Sequence, residues 1–239
     1  MISSQKHIRL RFQKIIVASV IIVALSFCML PSAYAATTGY YYNGGCKAVS
    51  NNGVVATIET QNPYVYSGSS VSAWAMTCDG GSSSANGYAQ VGYLKYSRDS
   101  RPYYFYEYSC DSTSTWYQKQ LTSSPSTGTH HTYMVGCDSS TMYFKIDGTS
   151  YGTCKLSAIP FPRTTIEVLT ETHHASDQSP GSASNPVTMG AVQYKTTSNV
   201  WTNTKCVNWS NNGYGTLKTQ RNNIPSSGSS NWEVWDSRY

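Results

Sequence analysis

The chain has 239 residues, 17 of them Lys or Arg and 12 Asp or Glu. Four of the basic residues (Lys6, Arg9, Arg11 and Lys14) and none of the acidic ones precede residue 36, so the remainder carries 13 basic against 12 acidic groups, a net of about +1. The basic balance belongs to the leading segment. The rest has no Lys/Arg cluster to track phosphates, which excludes nucleic acid as an expected partner.

In chain order, the basic start leads into "IIVASVIIVALSFCMLP" and then "SAYAA". This is the pattern of a secretory signal peptide over residues 1–35, cut after Ala35. The apolar run is shorter than the ~20 residues of a spanning helix and ends at Pro31, so no stable membrane anchor is expected after cleavage. The mature protein is expected to be secreted and extracellular, with residues 36–239 forming a single domain.

A short polar lead, "TTGYYYNGG", comes first. Strand-like runs follow at 53–60, 71–77, 88–96, 102–109, 130–136, 141–147, 164–171 and 188–195, with weaker ones near 200–207, 214–220 and 231–236. They alternate apolar and polar residues and are rich in β-branched and aromatic side chains, which suit a pleated, half-buried surface. "DGGSSSANG", "TSSPSTG", "DQSPGSASNP" and "IPSSGSS" supply turn chemistry between them. No stretch after residue 36 shows a helical apolar period. The expected fold is all-β, an antiparallel sandwich or barrel.

Six cysteines follow the leading segment: Cys46, Cys78, Cys110, Cys137, Cys154 and Cys206. They are widely spaced, without the C-x-x-C pairs of zinc sites. In an exported chain an even set reads as disulfides, with pairing left open.

Three motifs bear on chemistry. "GTSYG" (148–152) has the letters of a nucleophile elbow, but "YFKIDGTSYGTCKL" reads as two strands about an Asp-Gly turn rather than strand, elbow and helix. The pairs His130–His131 and His173–His174 face opposite sides of a strand, so neither converges on a metal; no metal or other cofactor is expected. Glu167 and Glu171 share one strand face roughly 13 Å apart, too far for a glycosidase pair. Trp74, Tyr88, Tyr93, Tyr103, Tyr104, Tyr106 and Tyr108 are candidates to line a groove for peptide or sugar.

The landmarks come in a telling order: "SAWAMTCDG" with Trp74, "YAQVGY" with Gln90, "YYFYEYS" with Glu107, "TIEVLTE" with Glu167, and "NPVTMGAVQY". From about residue 55 to 195 this resembles the glutamic peptidases, or eqolisins. That family has a Trp strand, a Gln-x-Gly strand, an aromatic strand reading Tyr-x-x-Trp-Tyr-Glu-Trp, a Glu-Trp-Ile-Val-Glu-like strand and a Pro-Phe-x-x-Phe-Gly-x-Val segment. The resemblance implies an antiparallel two-sheet β-sandwich, a concanavalin-like jelly roll, and a metal-independent endopeptidase. By that resemblance Gln90 and Glu167 would be catalytic and Trp74 and Glu107 would shape the substrate groove; Tyr88 and Glu171, on the alternating faces of their strands, are further candidates to bind substrate. A carboxylate suits activation of a water, and an amide donates to an oxyanion without titrating. The segment after Trp74 lacks the family's Gly-Ile-Asp run. The alternative expectation is a non-catalytic protein on the same sandwich that binds glycan or cell-wall material.

Overall fold

The computed structural model describes residues 38–81, 87–109, 116–209 and 217–239; the expected signal peptide and Cys110 lie outside them. Fifteen strands follow in chain order: β1 (Thr38–Ala48), β2 (Gly53–Glu59), β3 (Ser70–Cys78), β4 (Tyr88–Tyr96), β5 (Tyr103–Ser109), β6 (Trp116–Gln120), β7 (His130–Cys137), β8 (Thr141–Ile146), β9 (Thr149–Lys155), β10 (Thr165–His174), β11 (Val187–Lys195), β12 (Trp201–Asn203), β13 (Val207–Asn208), β14 (Gln220–Asn222) and β15 (Trp232–Asp236). The only helix among the described residues is a 3-10 turn, Leu156–Ala158.

Two antiparallel sheets result. One runs β13-β1-β10-β3-β4-β5-β6 and the other β14-β15-β11-β2-β7-β8-β9, with β12 on the flank of β11. Period-2 alternation sends Ala73, Ala75, Val91, Tyr93, Tyr106, Ile166 and Val168 of the first sheet against Val54, Ile58, Tyr133, Val135 and Phe144 of the second. The first sheet also carries a second buried cluster on its other face, built from Tyr42, Trp74, Met76, Leu94, Phe105 and Leu169. That is why β3 is buried at every position. An outer face that is itself buried is unusual for an antiparallel sheet and marks where the chain has something to enclose.

Several expectations are corrected here. The lead "TTGYYYNGG" belongs to β1, whose Tyr42 pairs with Glu171 of β10 and meets the Trp74 ring edge-on at 6.3 Å. β6 is a polar, mostly exposed edge strand with no apolar alternation to reveal it. Of the weak run at 214–220, residues 214–216 lie outside the described residues, and the strand there, β14, starts only at Gln220. The Asp-Gly turn forms as expected, with Asp147 at φ 49° and Gly148 at φ 79°, so "GTSYG" opens the hairpin strand β9.

The disulfide expectation is also corrected. Cys46, Cys78, Cys137, Cys154 and Cys206 carry free thiols. Cys137 and Cys154 both pair with Met142 from opposite sides, so they stand two strands apart. Cys46 and Cys78 likewise straddle β10. Two strand spacings are about 9.6 Å, beyond the ~7 Å that a disulfide spans. Cys206 turns into the inter-sheet core instead. Burial, and the charge of Glu167 beside it, pushes the Cys46 thiol up to about 12. Burial first, then the neighbouring Cys46, does the same for Cys206.

Candidate active-site groove

The outer face of the first sheet holds a cavity of about 750 Å³. β4 answers for its own alternation here: Tyr88, Gln90 and Leu94 point into the cavity while Ala89, Val91 and Tyr93 pack in the core. Gly92 continues the cavity face because nothing larger fits. A Cβ there would lie 2.0 Å from the Ala73 carbonyl oxygen and 2.8 Å from Trp74 Cα. The glycine lets β4 close on β3 opposite Trp74.

Strand register sets the polar groups in rows. One row reads Cys46, Glu167, Met76, Gln90, Glu107 and Gln118 across β1, β10, β3, β4, β5 and β6. Within it, Gln90 is only 6% exposed, yet its side-chain amide has no hydrogen-bond partner among the described residues and faces the cavity. The amide opens on the cavity, where it can bond to water or to a ligand.

Glu107 is the opposite case. One carboxylate oxygen accepts hydrogen bonds from the Tyr88 hydroxyl and from Trp116 Nε1 (2.7 Å), and the other accepts from Gln118 Nε2 (2.7 Å). Burial pushes this carboxyl above the ordinary carboxylate range, against the pull of the three donors. Burial, with the Glu107 charge, also raises the Tyr88 hydroxyl. Glu107 thus ties β4, β5 and β6 together as a wall.

Glu171 and His173 form a second polar group at the other end. Trp74 Nε1 donates to Glu171 Oε2 at 3.0 Å, and His173 Nε2 lies 2.8 Å from Glu171 Oε1. Ser70 Oγ lies 3.2 Å from His173 Nδ1. Burial by itself would lower the imidazole, but the hydrogen bond and charge of Glu171 outweigh it and raise it. Both Glu171 and His173 line the cavity.

Glu167 does not. It is 0% exposed, on the same sheet face as Gln90 but beneath Gly81 and Trp209. A Cβ on Gly81 would meet Glu167 Oε1 at 3.2 Å and the Trp209 ring at 3.0 Å. Met76, 2% exposed, stands between it and Gln90. Of the aromatic candidates, Trp74 and Tyr88 line the cavity. Tyr93, Tyr104 and Tyr106 belong to the inter-sheet core, with Tyr108 packed against it. Ser70, Ser72, Tyr40, Tyr96, Trp116, Gln118 and His173 were not singled out as groove residues by sequence. His173 had a usable signal, since it follows Glu171 by two on one strand face. The facing of Ser70 depends on the β3–β10 register, which no local pattern reveals.

His130, His131 and Asp177 are accounted for by local bonds. His131 Nδ1 lies 2.6 Å from Asp147, and His130 Nε2 lies 2.7 Å from Thr188 Oγ1. Asp177 gathers the backbone N–H groups of Tyr66, His173 and His174 and the Ser69 hydroxyl. Among the described residues no three His, Cys, Asp or Glu side chains group to hold a metal ion.

No protein-family model matches the chain, and no curated protein matches it. Solved structures do. Scytalido-glutamic peptidase, crystallised with a peptide-based transition-state analogue, aligns over 84% of this chain and 100% of its own, at 11% identity and a TM-score of 0.54. SCP-B, a member of the eqolisin family in complex with the tripeptide Ala-Ile-His, aligns over the same shares at 10% identity and a TM-score of 0.51. The fold is eqolisin-like. Within that eqolisin-like fold the groove lies on the outer face of the first sheet, and the Ala-Met-Thr-Cys run after Trp74 puts Met76 between Gln90 and Glu167.

Proposed function

We propose that the chain is a secreted, acid-acting endopeptidase of the glutamic type, working through Glu167 and Gln90 on an extended polypeptide laid in the groove. The observation that carries this reading is that Gln90 and Glu167 occupy one face and one row, two strands apart, with the Gln90 amide unpartnered among the described residues. A separation of about 9.6 Å between their strands suits two long side chains that share a single water.

In this mechanism the Glu167 carboxylate takes a proton from a water as it attacks the scissile carbonyl. The Gln90 N–H donates to the oxygen that becomes negative. Glu167 then returns the proton to the leaving amine. The Met76 thioether has to turn aside for the water to sit there, and its flexible, unbranched chain suits that motion. Trp74 and Glu171 hold the groove floor, while Glu107 and Tyr88 hold its wall.

The test is proteolysis of a denatured protein substrate by the purified chain, from about pH 2 to pH 7, beside Glu167→Gln. Cleavage on the acid side, reduced at least about a hundredfold in the folded variant, is the expected result. Equal cleavage by both removes Glu167 from the mechanism. A second reading, glycan binding without hydrolysis, draws on the aromatic lining and on Trp116, which is 59% exposed at the groove edge. Polysaccharide retention by a folded but proteolytically silent protein would favour it.

A further inference from the structure

Ser70, His173 and Glu171 form a continuous hydrogen-bonded line at the far end of the groove. Ser70 lies six residues along β3 from Met76, roughly 20 Å from the Gln90–Glu167 row. Nothing in the glutamic mechanism uses it.

The line has a direction. An ionised carboxylate only accepts, so Glu171 Oε1 requires the proton on His173 Nε2, which leaves the Nδ1 lone pair of the neutral ring facing the Ser70 hydroxyl. Glu171 is itself held from behind by Trp74 Nε1 at 3.0 Å, and the edge of the Tyr40 ring packs on the imidazole at 4.7 Å. A base oriented by a carboxylate and aimed at a hydroxyl is the arrangement that activates a serine. The cavity supplies a further group. Ser72, the next residue on the same face of β3, is 4% exposed, and its hydroxyl has no hydrogen-bond partner among the described residues while it lines the cavity. It can donate to an oxygen bound beside Ser70.

We infer that Ser70 is the nucleophile of a second, serine-based centre that accepts small acyl esters at this end of the groove, with His173 as base and Glu171 as its positioning residue. Ser70 Oγ bonds to the ester carbonyl carbon as its proton passes to His173 Nδ1, and Ser72 donates to the oxyanion. The bond to the alcohol oxygen breaks, and the alcohol leaves with the proton from Nδ1. Water then repeats the sequence on the acyl-serine and releases the acid. The centre is independent of Glu167.

A biotinylated fluorophosphonate tests this directly. Attack by Ser70 Oγ breaks the P–F bond, fluoride leaves with the electron pair, and the adduct stays on the serine. At about pH 9, where an imidazole is neutral, one adduct mapped to Ser70 by mass spectrometry is expected. It should be absent in Ser70→Ala, at least about tenfold slower in His173→Gln, and unchanged in Glu167→Gln. If His173→Gln does not fold, Glu171→Gln carries the same expectation. No adduct on Ser70 in the folded parent, or labelling at the parent's rate in folded variants of both His173 and Glu171, overturns the proposal.

Discussion

Gln90 and Glu167 face the same side of one sheet in one cross-strand row, separated by Met76 alone. In the proposed mechanism a water shared by the two would have to sit where the Met76 side chain stands. Met76→Ala is therefore expected to raise kcat/KM on a peptide about tenfold or more, because it removes an obstruction at the reacting geometry. The same change empties a buried volume and should cost about 2–5 kcal/mol in stability, read from urea midpoints. A stability loss without a rate gain would show that Met76 is packing and no obstacle; silence from parent and variant alike would count against the dyad itself.

Glu171 decides the charge of His173. Burial opposes the imidazolium, and the Glu171 contact overrides it, with Asp177 and Glu107 adding to the pull. With Glu171→Gln the imidazole titration, followed by nitrogen-detected NMR, is expected to fall by about one pH unit or more. A midpoint that stays put would mean that the more distant carboxylates suffice.

The Glu107 carboxyl gives a pH signature. Burial raises it in the fold, so the folded chain holds this proton more tightly than the unfolded one. Its contribution to stability is fully present below the unfolded value of about 4.3 and is lost as pH rises through the higher folded value. Glu107→Gln cannot titrate. The urea midpoint of the parent should therefore decline relative to that variant as pH rises from about 4 to 7. A parent that gains on the variant over this range would show that the three donors, and not burial, govern the carboxyl.

Gly92 is a steric requirement of the groove floor. Gly92→Ala puts a methyl 2.0 Å from the Ala73 oxygen and must push β4 away from β3 beside Trp74. A loss of about 3 kcal/mol or more is expected from calorimetry or denaturant unfolding, in the upper range for single substitutions. A neutral result would mean that the two strands can separate locally at little cost.

The free thiols make a chemical prediction. In folded protein, without reductant, Cys46, Cys78, Cys137 and Cys206 should resist alkylation, because burial holds each thiol above its ordinary range. In denaturant, still without reductant, all of these and Cys154 should alkylate fully. A pair that alkylates only after reduction would reveal a bridge between two of them.

The fold class was legible because its strands alternate strongly and are cut by Gly, Ser and Pro. β4 could be read residue by residue, and β10 as far as Glu171, three residues short of its end at His174. β1 was hidden because consecutive tyrosines and glycines show no two-faced pattern, and its partner β10 lies far along the chain. β6 was hidden because an edge strand buries almost nothing. In the site, Gln90 was readable as an amide among aromatics on an alternating strand. The burial of Glu167 was not, since it depends on Gly81 and Trp209 arriving from elsewhere. Cysteine parity pointed to bridges for want of register, which in fact keeps the thiols apart.

The order in which strands meet has a consequence for how the protein is made. The long pairing of β1 is with Thr165–His174, whereas β2 pairs with His130–Cys137 on one side and Val187–Lys195 on the other. A chain leaving the ribosome therefore carries β2 unpaired until β7 is made, and β1 unpaired until β10, when most of the rest has been synthesised. Such long-range closure places folding on the slow side, of the order of milliseconds to seconds for sandwiches. Throughout that interval the tyrosine-rich edge of β1 is open to other chains, so refolding yield should fall with protein concentration.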